Sequence, residues 1–399
     1  MSMRPFGDII SMGEARTAIA AHIARLPRHE RVPLADACGR VLATDITASQ
    51  DVPPFDRASM DGYAVCSADT AAPGARLRLA GRIYTGDAPS VHTGRGTCME
   101  IATGAPLPEG ADAVVMVEAT RADGDTIELQ AAVRPRQNVG ARAADIATGQ
   151  TVLRAGDLIN ASRLGALAAL GLAEVEVVAR PRVAILSTGN EIAEQGTPLP
   201  PGHIYDINAF TLSALIMEHG GLPSRLRTAR DTLADLHRAV DEALQHDLLV
   251  FSGGSSVGER DLILDVVRER GTVIFHGIAV KPGKPTLFGH IGTCPVFGLP
   301  GYPTSCLSNG YILLVPALRQ MAGLPATAPR TVACTLQSDV TSVPGRHQFY
   351  PVRLDGTVAV PVFKASGDIT SMSQADGYIE IEAAVTAVPR GTPVTVTLF

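Results

Sequence analysis

Between residues 182 and 305 the chain alternates four times between a short apolar run and a loop of glycine, proline, serine, threonine or lysine. The apolar runs at 182–187, 247–251, 273–280 and 295–298 have the length and the β-branched character of buried strands. Amphipathic stretches at 208–219, 232–245, 261–270 and 304–322 predict helices between and after them. Strands that alternate with helices pack as a mainly parallel sheet covered on both faces, a three-layer α/β/α domain. Upstream, Ala15, Ile19, Ile23 and Leu26 share one face of a helix over 11–26. From about residue 51 to 139 the pattern shortens to strands at 63–65, 77–83, 113–118 and 126–129, with Gly and Pro between them. A second helix is predicted over 160–170, with Ser162 near its start and Gly171 at its stop. After a linker at 323–330, short strands return from 331 to the end and predict a small C-terminal β domain.

The 399 residues suffice for several cores, and 46% hydrophobic against 19% charged residues places the chain among globular proteins. Aromatics are 4% with no Trp, and the formal net charge is -6, so stacking on or electrostatic capture of nucleic acid is not expected. Asp8, Glu14, Arg16 and Arg25 interrupt the start, which excludes a secretory h-region there, and the apolar runs are too short to span a membrane. Six cysteines at 38, 66, 98, 294, 306 and 334 form no Cys-x-x-Cys pair, so reduced thiols in a cytoplasmic protein are expected rather than a metal cluster.

The loops carry the chemistry. Ser252-Gly253-Gly254-Ser255-Ser256-Val257-Gly258 follows a strand and precedes a helix, where successive amides form an anion nest. Asp261 suits either a helix cap or a Mg²⁺ ligand beside phosphate. Lys281 and Lys284 flank the turn residues Pro282 and Gly283, and two such ammonium groups make a point-charge clamp. Pro300, Gly301, Pro303, Thr304 and Ser305 open the next helix, with Pro303 at its first position. Glu191 offers a carboxylate at a strand end. The first strand lacks a Gly-x-Gly-x-x-Gly turn, and no His-Glu-x-x-His or Gly-x-Ser-x-Gly occurs, which disfavours NAD binding, zinc hydrolysis and a serine nucleophile elbow. A separate cluster, Asp56-Arg57-Ala58-Ser59-Met60-Asp61, sits before a strand.

Taken in order, Pro54 to Ala64, Ala102 to Pro106, Ser187 to Glu191, Asp206 to Asn208, Ser252 to Gly258, Lys281 to Pro285 and Leu299 to Ser305 resemble the molybdopterin molybdotransferase (molybdenum insertase) family, to which the carboxy-terminal domain of gephyrin is related. The resemblance covers nearly the whole chain. It implies insertion of molybdate into adenylylated molybdopterin with release of AMP, Mg²⁺ being present. It also implies four domains: a helical one from 1–46 and 141–180, an inserted β domain at 47–140, the α/β domain at 181–326 and a β domain at 327–399. A homodimer is implied, with the α/β site of one subunit completed by the β insertion of the other, and molybdopterin adenylyltransferase and acceptor molybdoenzymes as partners. By position, Asp61, Thr103, Asp145, Glu191, Asp231 and Asp261 match the polar reaction centre, with Glu191 and Asp261 as metal ligands. Ser252, Gly253, Gly254, Ser255, Ser256, Gly258, Lys281, Lys284, Pro300, Gly301, Pro303, Ser305, Arg346 and Ser371 match pterin-phosphate and nucleotide contacts. Carboxylates repel an oxyanion, so Arg57, Arg142 or backbone amides are expected at molybdate. Ala144 stands where the family has Glu, Ser255 where it has Val and Tyr302 where Asn is commoner. The alternative is a scaffold or a degenerate molybdopterin-binding paralogue without turnover.

Overall fold

A computed structural model of the protein describes residues 9–71, 74–88, 92–229, 232–253, 262–326 and 328–399. Its chain forms two compact units. One comprises the stretch up to Arg31, residues 39–41 and 176–399; the other comprises 32–38 and 42–175.

In the larger unit, alternation along one strand divides two cores. Val183 and Ile185 of Arg182–Ser187 enter a core with Leu212, Leu215 and Ile216 of helix Asn208–Glu218. Ala184 and Leu186 enter another with Leu236 and Val240 of helix Leu233–Ala243 and Ile263 and Val267 of helix Leu262–Arg270. Such two-faced burial requires near-continuous apolar strands, as the sequence has. The sheet order is Leu222–Arg225, Arg182–Ser187, Leu248–Ser252, Cys294–Leu299, Leu287–Ile291, Thr272–His276. The first four strands are parallel; Leu287–Ile291 is antiparallel to both its neighbours, so Thr272–His276 runs with the parallel set. Helix Met12–His22 also belongs here: Met12, Ala15 and Ile19 pack in the first core, and Ser11 with Glu14 forms its capping box.

Two expectations need correction. The run 273–280 is not one strand: the strand ends at His276, and Gly277 at φ +109° turns the chain into a region that favours glycine. Val280–Lys281 instead pairs in parallel with His347–Asp355 of the C-terminal domain. The run 304–322 is not one α-helix: Pro303–Asn309 and Val315–Met321 flank a π-turn at Gly310–Leu314, where the Val315 N–H reaches back to Gly310 O. Pro316 has no N–H to continue an α-helical ladder there. Leu287–Ile291 is a strand that the apolar pattern left unassigned.

In the C-terminal part, His347–Asp355, Val358–Pro361, Thr331–Leu336, Pro393–Leu398 and Gly377–Ile381 pair in a ring closed by the contact of the last with the first. This β barrel has Val352, Ala359, Ile379 and Val396 at its centre. The smaller unit holds a six-stranded sheet in the order Ala113–Met116, Gly62–Val65, Thr97–Ile101, Arg76–Ile83, Thr126–Leu129, Thr120–Asp123, antiparallel except for the pair Arg76–Ile83 with Thr97–Ile101. Helix Ala161–Ala169, capped by Asn160, lies in this unit.

Candidate functional site

All four loops of the larger unit leave the carboxyl edge of the parallel strands, where open α/β sheets bind ligands. Three of them touch. The Thr188 amide donates to Ser252 O at 3.0 Å, and the Gly253 amide to Leu299 O at 3.3 Å. A Cβ on Gly253, whose φ is +96°, would sit 2.7 Å from Thr188 O, and one on Gly301 would lie 3.3 Å from the Gly253 α-carbon. Only glycine permits this approach at Gly253. Asn208 Nδ2 donates to Gly301 O at 2.8 Å, fixing the fourth loop to the head of helix Asn208–Glu218. Around this junction Ser187 Oγ, Thr188 Oγ1 and Asn208 Oδ1 are buried without a hydrogen-bond partner among the described residues. Buried polar atoms are normally satisfied, so three orphans at one strand edge are hydrogen-bonding capacity left for a ligand. Glu191 is exposed, with its carboxylate folded over the α-carbon of Gly189.

The lysine loop is tied from behind. Gly283, at φ +101°, gives its carbonyl to Asn309 Nδ2 at 3.0 Å and to Thr286 Oγ1 at 2.8 Å. Asn309 Nδ2 also donates to Thr286 Oγ1 at 2.6 Å, and both side chains are fully buried. Asn309 and Thr286 were not singled out in the sequence; a lone Asn in an apolar helix gives no periodic signal. Lys281 and Lys284 are partly exposed, and Lys281 Nζ stands 5.9 Å from the Phe363 ring centroid.

The barrel side contributes as well. Arg346 precedes His347, whose amide donates to Ala279 O at 2.9 Å, so it lies beside the strand that carries Lys281. Ser371 is buried and its hydroxyl accepts the Lys364 amide at 3.0 Å. Thr304, expected to offer a hydroxyl to a ligand, gives it to Asp368 O at 2.8 Å instead, and its amide to Ser366 O at 3.1 Å. Pro303 is at the first turn of its helix as expected, Pro300 and Ser305 are buried, and Gly301 is exposed. Asp231, Gly254, Ser255, Ser256, Gly258 and Asp261 lie outside the described residues.

In the smaller unit Asp61 and Thr103 meet. Asp61 Oδ1 accepts the Thr103 amide at 2.6 Å and its hydroxyl at 2.8 Å, which holds the Asp61 carboxyl below its usual range. Asp61 borders an open cleft of about 210 Å³ with Tyr63, Tyr84, Val117 and the ion pair of Arg82 and Glu100 at 2.8 Å. Asp145 lies on a loop fixed by its own amide, which donates to Val52 O at 3.0 Å. Arg136 grips Asp56 with both terminal nitrogens, and the Arg142 amide donates to Asp56 Oδ1 at 2.8 Å. Arg142 Nε bonds Asp51, which also accepts the Thr148 hydroxyl at 2.7 Å and amide at 2.8 Å. The Arg136 guanidinium holds the Asp56 carboxyl down at about 2, and the Thr148 contacts do the same for Asp51. Among the described residues no group of three His, Cys, Asp or Glu could hold a metal, and no helix is long and apolar enough to cross a membrane.

Known proteins resemble this chain in sequence and fold. Residues 10–171 match the family described as MoeA N-terminal region (domain I and II), 184–320 the probable molybdopterin binding domain, and 333–399 the MoeA C-terminal region (domain IV). The chain is 36% identical to molybdopterin molybdenumtransferase 2 of Mycobacterium tuberculosis over 95% of this chain and 97% of that one. It is 32% identical to molybdopterin molybdenumtransferase of Haemophilus influenzae over 98% and 99% of the two chains. The crystal structure of a molybdopterin biosynthesis MoeA protein from Pyrococcus horikoshii superposes with a TM-score of 0.86 at 39% identity, covering 98% of this chain and 99% of that one. Three matched regions in order, full-length identity above 30% and a shared architecture lead to one conclusion: the chain belongs to the molybdopterin molybdenumtransferase family.

Proposed function

We propose that this chain is a molybdopterin molybdenumtransferase of molybdenum cofactor biosynthesis, which inserts molybdate into adenylylated molybdopterin and releases AMP. The observation that carries the reading is the strand-edge junction of Thr188, Ser252, Gly253 and Gly301, with its orphaned buried polar atoms. Bare backbone and unsatisfied hydroxyl and amide oxygens suit a polar, phosphorylated ligand, and Lys281 and Lys284 supply positive charge on the same edge. The glycine loop from Ser252 to Gly258 cradles phosphate, while Pro300, Gly301, Pro303 and Ser305 shape the neighbouring wall. Arg346 and Ser371 flank it from the barrel. Asp61, Thr103, Asp145, Glu191, Asp231 and Asp261 form the polar reaction centre. Glu191 is an exposed hard oxygen donor, which suits Mg²⁺; with Asp261 it would hold the ion, whose charge would offset that of phosphate oxygens.

The domain division follows the resemblance: 1–46 with 141–180, 47–140, 181–326 and 327–399. A homodimer places the β insertion of one subunit at the α/β loops of the other. Molybdopterin adenylyltransferase supplies the adenylylated substrate and acceptor molybdoenzymes take the product. Six unpaired cysteines are in keeping with a cytoplasmic protein. The test is AMP release from adenylylated molybdopterin with Mg²⁺, with and without molybdate, beside Lys281→Ala. Molybdate-dependent release, slowed about 100-fold or more in the variant, is expected. Tight pterin binding with no release would favour the degenerate paralogue, to which Ala144 in place of the family's Glu gives its only specific support.

A further inference from the structure

The geometry points to Tyr302 as an aromatic platform on which a flat heterocycle of the substrate stacks, a contact that the commoner Asn at this position has no ring to make. The inference rests on the molybdotransferase reading, whose substrate carries two such heterocycles, adenine and pterin.

Exposure decides which aromatic is available. Tyr302 is 67% exposed, more than any other large hydrophobic side chain among the described residues. Leaving that much ring area in water is unfavourable, and a stacked ligand removes it from water. The other exposed aromatics of the larger unit are engaged. Tyr205 gives its hydroxyl to Thr197 O at 2.7 Å, Phe210 lies under the Arg225 guanidinium at 4.1 Å, and Phe399 packs on Tyr311 with ring centroids 4.6 Å apart. Phe363, beside the lysine loop, packs on Tyr350 at 5.4 Å. Tyr302 has no ring or cation partner among the described residues.

Position places the ring at the ligand edge. Gly301, the residue before it, has its carbonyl held by Asn208 Nδ2 at 2.8 Å, and a Cβ on it would lie 3.3 Å from the Gly253 α-carbon. Ser187 Oγ, Thr188 Oγ1 and Asn208 Oδ1, buried without a partner among the described residues, border the same junction. On the other side Pro303 begins a helix, and the Cys306 amide donates to Tyr302 O at 2.9 Å. Thr304 fastens this turn to the barrel segment through its amide to Ser366 O and its hydroxyl to Asp368 O. The ring passes beside Gly367, where a Cβ would lie 3.8 Å from Tyr302 Cδ1. The backbone on both sides of Tyr302 is thus held, while its ring stays open. A ring presented in this way is pre-organised for stacking, and stacking accepts different heterocycles because each has a π face.

Tyr302→Leu and Tyr302→Phe test the contact. Both change only an exposed side chain and keep the Tyr302 carbonyl that opens the helix, so both should melt with the wild type. Half-saturation by adenylylated molybdopterin in AMP release is expected to rise about tenfold in Tyr302→Leu, ahead of any change in turnover at saturation, and Tyr302→Phe should recover most of the loss. Equilibrium binding of AMP and of molybdopterin, measured separately, identifies the ring: the ligand whose binding weakens in Tyr302→Leu carries the stacked heterocycle. Equal half-saturation in all three proteins would overturn the platform and leave the transferase reading intact. A loss as large in Tyr302→Phe as in Tyr302→Leu would assign the contact to the hydroxyl and also overturn it. A rise that comes with a lowered melting temperature in Tyr302→Leu would assign the effect to folding, with the same result. Were the wild-type protein to bind no adenylylated molybdopterin, the functional reading and the platform would fall together.

Discussion

Gly283 concentrates several constraints in one residue. Its φ is +101°, and an added Cβ would lie 2.3 Å from Asn309 Nδ2. Gly283→Ala therefore strains the backbone and pushes Asn309 off Thr286 and the Gly283 carbonyl. A loss of about 2–4 kcal/mol in urea unfolding is expected, together with weaker binding of adenylylated molybdopterin, because the turn between Lys281 and Lys284 is displaced. Asp56 gives a pH-dependent counterpart. Its carboxyl falls from the ordinary 3.8 to about 2 through Arg136, so the charged form stabilises the folded state. That contribution is complete above about pH 4 and is lost as pH falls through about 2. Asp56→Asn should lower the Tm at pH 7, and the gap to wild type should narrow as melting is repeated from pH 4 downward. A gap that stays constant to pH 2.5 or widens would remove the ion pair as its cause. These residues were only partly legible in the sequence. The Asp56 to Asp61 cluster stood out by composition, whereas its partners Arg136 and Arg142 come from a loop about eighty residues away, a distance no local pattern bridges.

Among elements, the segment from Phe363 to Ser371 links the barrel to the α/β loops. Thr304 holds it through its amide to Ser366 O and its hydroxyl to Asp368 O, and Phe363 stands under Lys281. Thr304→Val keeps the shape and removes the hydroxyl bond. About 1–2 kcal/mol of stability should be lost, with faster amide hydrogen exchange confined first to 363–371. Exchange that rises evenly over the protein would mean the bond is not a local tie. The strand-and-loop rhythm from 182 to 305 was readable because both faces of a parallel sheet are buried and its strands must be apolar throughout. The helix at 304–322 and the strand at 273–280 were read too long for one reason: apolar runs report burial, not hydrogen bonding. Gly277, inside 273–280, and Pro316, deep inside 304–322, supplied the breaks; both are breaker residues present in the sequence, outweighed there by the apolar runs around them.

At the scale of the molecule, the proposed dimer makes a demand that no single-chain site shares. If the α/β loops of one subunit work with the β insertion of its partner, Lys281 and Asp61 of one chain serve different sites. Lys281→Ala and Asp61→Asn homodimers should then each be nearly inactive in AMP release. After subunit exchange, half of the dimers are mixed, and each mixed dimer has one site with both defects and one with neither. Roughly a quarter of wild-type turnover should therefore return on mixing equal amounts. A site built from one chain cannot regain activity this way, because every chain in the mixture carries a defect. Exchange has to be measured in the same experiment, by tagging one variant and recovering the other with it. Co-recovery without restored turnover would reject the shared site, while restored turnover would explain why the acidic and threonine motifs at 61 and 103 sit so far along the chain from the lysine loop.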